Sequence, residues 1–411
     1  MTSTAKPLAG VKVLDLSRIL AAPFATQMLG DMGADVIKVE RPGKGDDARH
    51  YGPAFLRDPA GTGAPQGAMF LSANRNKRSI TIDISKPRGQ QLVRRLTEGR
   101  DILFENYKVG DLARYGLDYP ALAEINPRLI YCSITGFGQT GPYRFRPGYD
   151  GIFQAAGGLM SVTGVPDGQP GAGPMKVGPS IVDVMTGYNA AIAVLAALHH
   201  RDHASGRGQY IDLALLDVAV AAASHYTMEY LVTGVPPVRK GAEGNGGMPS
   251  GVFNCADRPI YLAVGNDEQY RRLCEVLERP DLLSDPRYVD VVARSDNRRP
   301  LVDALNASFS AWKASDVMDR LDSASVPACY VNDYAQVFDD PQAQARGLAA
   351  AAPHPYAPDL RTIANPIRYS ETPLDVYRAP PMLGQDTEAV LSEELGLSAE
   401  EIGELRACAV L

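Results

Sequence analysis

Residues 11–40, VKVLDLSRILAAPFATQMLGDMGADVIKVE, decide the fold. Val11–Ser17 is rich in branched apolar residues and reads as a buried strand. Ala22–Gly33 follows with good helix formers and closes on Gly30 and Gly33. Ala34–Glu40 is a second strand. A strand, a helix and a strand in so short a span form a crossover unit whose strands run parallel. The alternation recurs in RSITIDI (78–84), a helix opened by Pro87 that carries Leu92, Val93 and Leu96, and DILFENY (101–107). RLIYCSITGFG (128–138) and QYIDLAL (209–215) supply two more strands. The predicted class is α/β, a parallel sheet covered by helices on both faces.

Ligands of such sheets sit beyond the carboxyl ends of the strands. After the first strand comes SRILAAPF, with no glycine, so the G-x-G-x-x-G cradle for a dinucleotide pyrophosphate is absent. Other material gathers near the sheet ends: Glu40-Arg41-Pro42-Gly43, then Asn74-Arg75-Asn76-Lys77-Arg78, then Glu105-Asn106-Tyr107 with Arg114 beyond. For any single arginine a solvated surface is the simpler reading. Together, cations and an Asn–aromatic pair suit a ligand with several phosphates and a purine ring.

PSIVDVMTGYNAAIAVLAALHH (179–200) places Asp183 ahead of a long apolar helix, the kind that belongs in a large core. One reading makes Asp183 an N-cap, worth about 1 kcal/mol. The other turns its carboxylate to a cleft as a nucleophile. Gly187 allows close approach of a backbone or ligand.

At 411 residues two domains are expected. The net charge of -7 argues against bulk attraction to nucleic acid. Five scattered cysteines without a C-x-x-C pair suggest reduced thiols, and the six histidines form no metal pattern. MTSTAKPLAG lacks the pattern of a signal peptide, and the apolar core at 190–198 is too short for a bilayer. A cytoplasmic protein without a membrane partner is expected.

The chain divides in prospect into a large domain (1–225), a small α+β domain with linkers (226–332) and a returning C-terminal segment (333–411). ALLDVAVAAASHYTMEYLV is read as one helix leading out of the first domain. VPPVRKGAEGNGGMPSG (235–251) is turn-rich and carries the loop Gly244-Asn245-Gly246-Gly247. VFNCA, IYLAVGN and SVPACYVN are expected strands of the small domain, and EQYRRLCEVLE and RRPLVDALNASFSAWKA its helices. Ser398 with Glu401 forms a capping box for the last helix.

From Leu8 to its end the chain resembles the class III CoA-transferases. The carrying segments are GVKVLDLSRILAAPFATQMLGDMGADVIKVERPGKGD, NRNKRSITIDI, ENYKVGDLARYGLDY, ITGFGQTGPY, GYDGIFQAAGGLMSVTG, VGPSIVDVMTGYNAAIAVLAAL, GRGQYIDLAL and RAPPMLGQDTEAVLSEELGL. The resemblance implies a Rossmann-like large domain, a smaller one, and two subunits interlocked as a homodimer. It implies Asp183 as the nucleophile, with Gly246 and Gly247 in a glycine loop that closes over the reaction. Coenzyme A, as substrate and not as a resident cofactor, falls to Ile19, Leu20, Ala21, Arg41, Asn76, Lys77, Arg78, Asn106, Tyr107, Arg114 and Phe137.

The implied reaction moves CoA from an acyl-CoA to a small carboxylic acid through an aspartyl anhydride and an aspartyl-CoA thioester. Two departures narrow it. Family racemases place a histidine near the segment GYDG, whereas Tyr149 stands there and no histidine lies between His50 and His199. Leu20 and Asn245 replace a glutamine and a glycine of the oxalate enzymes, which argues against oxalate. Arg18, Arg144 and Arg146 are candidates to hold the second carboxylate of a succinate-like acid.

Overall fold

The computed structural model describes residues 5–244, 247–374 and 377–411. Six parallel strands build the main sheet: β1 (Lys12–Asp15), β2 (Asp35–Glu40), β3 (Lys77–Thr81), β4 (Ile102–Glu105), β5 (Ile130–Thr135) and β6 (Tyr210–Ala214). Their order across the sheet is β6-β5-β4-β1-β2-β3. The direction of winding therefore reverses between β1 and β4, the doubly wound Rossmann arrangement. Val13 aligns with Val36 on one side and Ile102 on the other, so the three central strands are in step.

Alternate residues of each strand face opposite ways, and this splits the core into two layers. Val13, Val36, Ile102, Ile130 and Cys132 pack on one face under α1 (Ala21–Asp31). Leu14, Ile37, Leu103 and Tyr131 pack on the other under α2 (Pro87–Glu98), through Leu92, Val93 and Leu96. Each of these side chains is at most 4% exposed, and truncating one such leucine to alanine costs about 2–5 kcal/mol.

Two helices complete the first layer near the cleft: α3 (Asp150–Ala156) and α4 (Ile181–His200). The apolar run of α4 buries Val182, Ala190, Ala191, Val194, Ala197 and Leu198, while Ile192 and Ala196 face outward. A Cβ on Gly187 would stand 2.8 Å from the Ala21 carbonyl oxygen, so glycine lets α1 and α4 cross in contact. Taken through Ser205, the helix is long and apolar enough to cross a membrane by length and composition, with mean hydropathy 1.7. The apolar stretch thus extends beyond the 190–198 core read from the sequence, and the helix is packed against α1 and the sheet.

The expected single helix after β6 is broken. Helices Leu215–Ala222 and His225–Thr233 meet at Ser224, whose φ of +46° no continuous helix accommodates.

The chain forms two compact units. The larger takes the chain up to Leu159, then Lys176–Val235 and Gln344–Leu411. The smaller takes Met160–Met175 and Pro236–Ala343, so its limits lie later than 226 and 332 and it includes a piece that precedes α4. In the larger unit the C-terminal segment covers the outer edge of β3. Asp386 accepts the Ser79 N–H and donates its own to the Ser79 carbonyl, and the Asp83 N–H bonds to Val410 O at 2.7 Å. An edge satisfied in this way offers no template to another chain. Ser398 and Glu401 do form the capping box.

The smaller unit is α+β. An antiparallel sheet of Ser250–Asn254, Pro259–Ala263 and Ala328–Tyr330 packs on helices Asp267–Val276, Arg298–Phe309 and Ala314–Ser323 through Phe253, Leu262, Leu273, Leu305, Phe309 and Leu321.

Candidate active site

The reversal between β1 and β4 opens a crevice at their carboxyl ends, and the turns that leave those strands meet there. The Leu16 N–H still bonds to Phe104 O at 2.9 Å, after which the chains part. Ile19 then adopts φ +71°, the left-handed region that a β-branched residue avoids. Such a residue persists where its surroundings over-determine it. Asn106, leaving β4, accepts the Arg18 N–H on Oδ1 at 2.9 Å and donates Nδ2 to Arg18 O at 2.7 Å. Asp46 accepts the Ile19 N–H at 2.9 Å, and Lys38 donates to Ser17 O at 2.8 Å. Lys38 and Asp46 form a fully buried ion pair at 2.9 Å.

Ile19, Leu20, Ala21, Asn106 and Tyr107 line a cavity of about 260 Å³, and Asp183 lies in its wall. The structure thus brings six expected site residues together. Asp183 belongs to the first turn of α4, not ahead of it; Ser180 holds the N-cap position. The N-cap reading is thereby removed. Its half-buried carboxylate accepts no hydrogen bond from any described residue, while its own N–H donates to Asp150 at 3.1 Å. Burial, and then the charge of Asp150, push the Asp183 carboxyl up to about 7.

Arg41 and Arg114 line a second cavity of about 350 Å³, which shares Arg18 and Tyr107 with the first. Arg114 pairs with Asp111 at its rim. Phe137 reaches neither cavity; it stacks edge-on against Phe153, which lines the first. Gly247 belongs to the smaller unit, where a Cβ would lie 2.2 Å from Val264 O, so only glycine fits. Gly246 lies outside the described residues.

Asn76, Lys77 and Arg78 are not brought to either cavity, because they sit at the opposite, amino end of β3. Lys77 is fully buried and donates to Asp15 at 3.0 Å and to Pro23 O at 2.9 Å. Burial lowers its pKa to about 8 despite that carboxylate. Arg78 pairs with Asp35 and Glu394, and Asn76 donates to Asp31. All three join secondary structure elements inside the larger unit.

Arg18, Lys108, Arg144 and Arg146 add four cationic side chains to the Asp183 cavity. Arg18 is held by Asp47 at 2.9 Å. Arg144 lies over the Phe145 ring and Arg146 over the Tyr143 ring, and neither guanidinium has an acidic partner among the described residues. Sequence reasoning gave no role to Asp150, Asp46 or Lys38. Asp150 stands in GYDG and could have been singled out as an acid between glycines; Asp46 and Lys38 carry no local signal.

A carboxylate that accepts no hydrogen bond from a described residue, facing a cationic cavity beside a second one lined by Arg41 and Arg114, is suited to acyl transfer from a phosphorylated thiol ester. The family model described as CoA-transferase family III matches residues 8–387. The chain belongs to this family. Succinate--glutarate CoA-transferase of Agrobacterium fabrum is 44% identical over 396 residues, 96% of this chain and 97% of the relative. Succinyl-CoA:glutarate CoA-transferase of Homo sapiens is 38% identical, covering 99% of this chain and 90% of the relative. A crystal structure of a CaiB/BaiF family protein from Brucella suis matches with TM-score 0.86 and 40% identity, over 95% of this chain and all of that one. This chain is therefore a CoA-transferase, and CoA thioesters are its substrates.

Proposed function

We propose that the transferase exchanges CoA between two dicarboxylic acids, succinate-like in size, with Asp183 as the covalent carrier. The observation that carries this reading is the Asp183 carboxylate, without a hydrogen-bond donor among the described residues, in the wall of a cavity with four cationic side chains. Its oxygen attacks the thioester carbonyl, the C–S bond breaks and CoA leaves as thiolate, giving a mixed anhydride. The thiolate attacks the aspartyl carbonyl and frees the donor acid, leaving an aspartyl-CoA thioester. The acceptor carboxylate then repeats these steps in reverse, and Asp183 is restored without net proton uptake.

Arg144 and Arg146, without acidic partners among the described residues, are the groups proposed to hold the carboxylate that does not react. Relatives named for succinate, glutarate and mesaconate support a dicarboxylate at this site. Arg41 and Arg114 are proposed for the phosphates of CoA, and Tyr107, common to both cavities, for the passage between them. The helix His225–Thr233 has no buried residue, and Leu231 and Val232 are 68% and 76% exposed. An apolar helix left open in this way supports the homodimer as the working form. Five free thiols, three of them buried, fit a cytoplasmic setting.

The test is transfer from succinyl-CoA to a panel of mono- and dicarboxylic acids, with peptide mapping after hydroxylamine quenching. The expected result is transfer to dicarboxylates, a hydroxamate on Asp183 only when acyl-CoA is present, and loss of both in a folded Asp183→Ala. Near-normal turnover by that variant, or an adduct on another residue, would overturn the assignment.

A further inference from the structure

We propose that Asp150 is a positioning residue for the nucleophile, its buried carboxylate capping the first turn of α4 and setting Asp183 at the cavity wall. The proposal rests on Asp183 being the acylated group.

The first amides of a helix need partners from outside it. Ser180, at the N-cap position, makes no side-chain cap bond. The N–H groups of Val182 and Asp183 go instead to Asp150 Oδ1, at 2.8 and 3.1 Å. Asp150 is 6% exposed, and its second oxygen accepts from Gln154 Nε2 at 2.6 Å. Gln154, one turn further along α3, also accepts the Val177 N–H at 2.8 Å. One acid and one amide on α3 thus hold both the approach to α4 and its opening turn.

A serine or asparagine would satisfy the same amides. A carboxylate adds a full negative charge behind the reacting one and occupies the amide nearest to it. Opposing that charge are the cations that face Asp183: Arg18 after β1, Lys108 after β4, and Arg144 and Arg146 before α3, with Tyr107 and Tyr149 as the other titratable groups of the cavity. Burial comes first among the causes that raise the Asp183 carboxyl, and Asp150 adds to it. A carboxylate held in this way is more basic and thus more nucleophilic toward a thioester.

Asp150→Asn retains the accepting oxygen and the size but removes the charge, whereas Asp150→Ala removes the cap as well. Both are compared with the wild type by kcat and KM for succinyl-CoA across pH 5–9, with hydroxylamine mapping of the adduct. For Asp150→Asn the acid limb of kcat is expected to move down by about one pH unit, with KM within about twofold. For Asp150→Ala, kcat is expected to fall about 10- to 100-fold while KM changes little. A folded alanine variant that keeps the wild-type kcat, with its adduct still on Asp183, overturns the proposal and leaves the nucleophile assignment standing. An adduct elsewhere overturns the nucleophile assignment itself. Should the alanine variant fail to fold, Gln154→Ala, which removes the bond that holds Asp150 Oδ2, is the second test, and a wild-type kcat there overturns the proposal.

Discussion

An aspartate that accepts no hydrogen bond from a described residue ionises against its burial and, at position 183, against a second carboxylate. The unfolded chain releases this proton near pH 4, and the folded one only near 7. Between these values the folded state binds the proton that the unfolded state has lost, so stability falls as pH rises through the window. Asp183→Asn removes the titration and is expected to raise the melting temperature at pH 8 by about 2–5 °C, with a smaller gain at pH 4. Thermal unfolding at both pH values checks the sign. The residue type and its neighbourhood were legible in VDVMTG, because a lone acid beside an apolar run is conspicuous. Lys77 was not legible, since a lysine in a basic run looks solvated until Asp15 and Pro23 are seen to enclose it.

Among the elements, the turn from β1 into α1 concentrates most of the local strain near the cavity, with Ile19 held left-handed by groups far along the chain. Asn106→Ala removes two hydrogen bonds to Arg18, each worth about 1 kcal/mol. The turn is then expected to relax, raising KM for acyl-CoA about 5- to 20-fold with kcat less affected. Steady-state kinetics at fixed acceptor concentration measures the split. The strands themselves were readable from their branched residues, within a residue or two at each end. The turn was not readable, because isoleucine is among the last residues that local propensity would assign to positive φ. Its partners Asn106 and Asp46 lie on other elements, and nothing in the segment SRIL points to them.

For the whole molecule, alternation of strands and helices gave a parallel sheet, but the order of its strands depends on long-range packing that no single segment encodes. Where those segments join is what makes the crevice. The exposed helix His225–Thr233 leads to an expected mass near twice 44.1 kDa in sedimentation equilibrium, and Leu231→Glu is expected to shift the distribution toward the single chain. A wild-type protein that sediments as one chain at micromolar concentration would refute the dimer. The cover on β3 has a consequence for synthesis. Its partners, Asp386, Thr387 and Val410, leave the ribosome hundreds of residues after Ser79 and Thr81. Until residues 386–410 emerge, the nascent sheet keeps one border unpaired, so the newborn chain depends on that late segment to become safe from sticking to its neighbours.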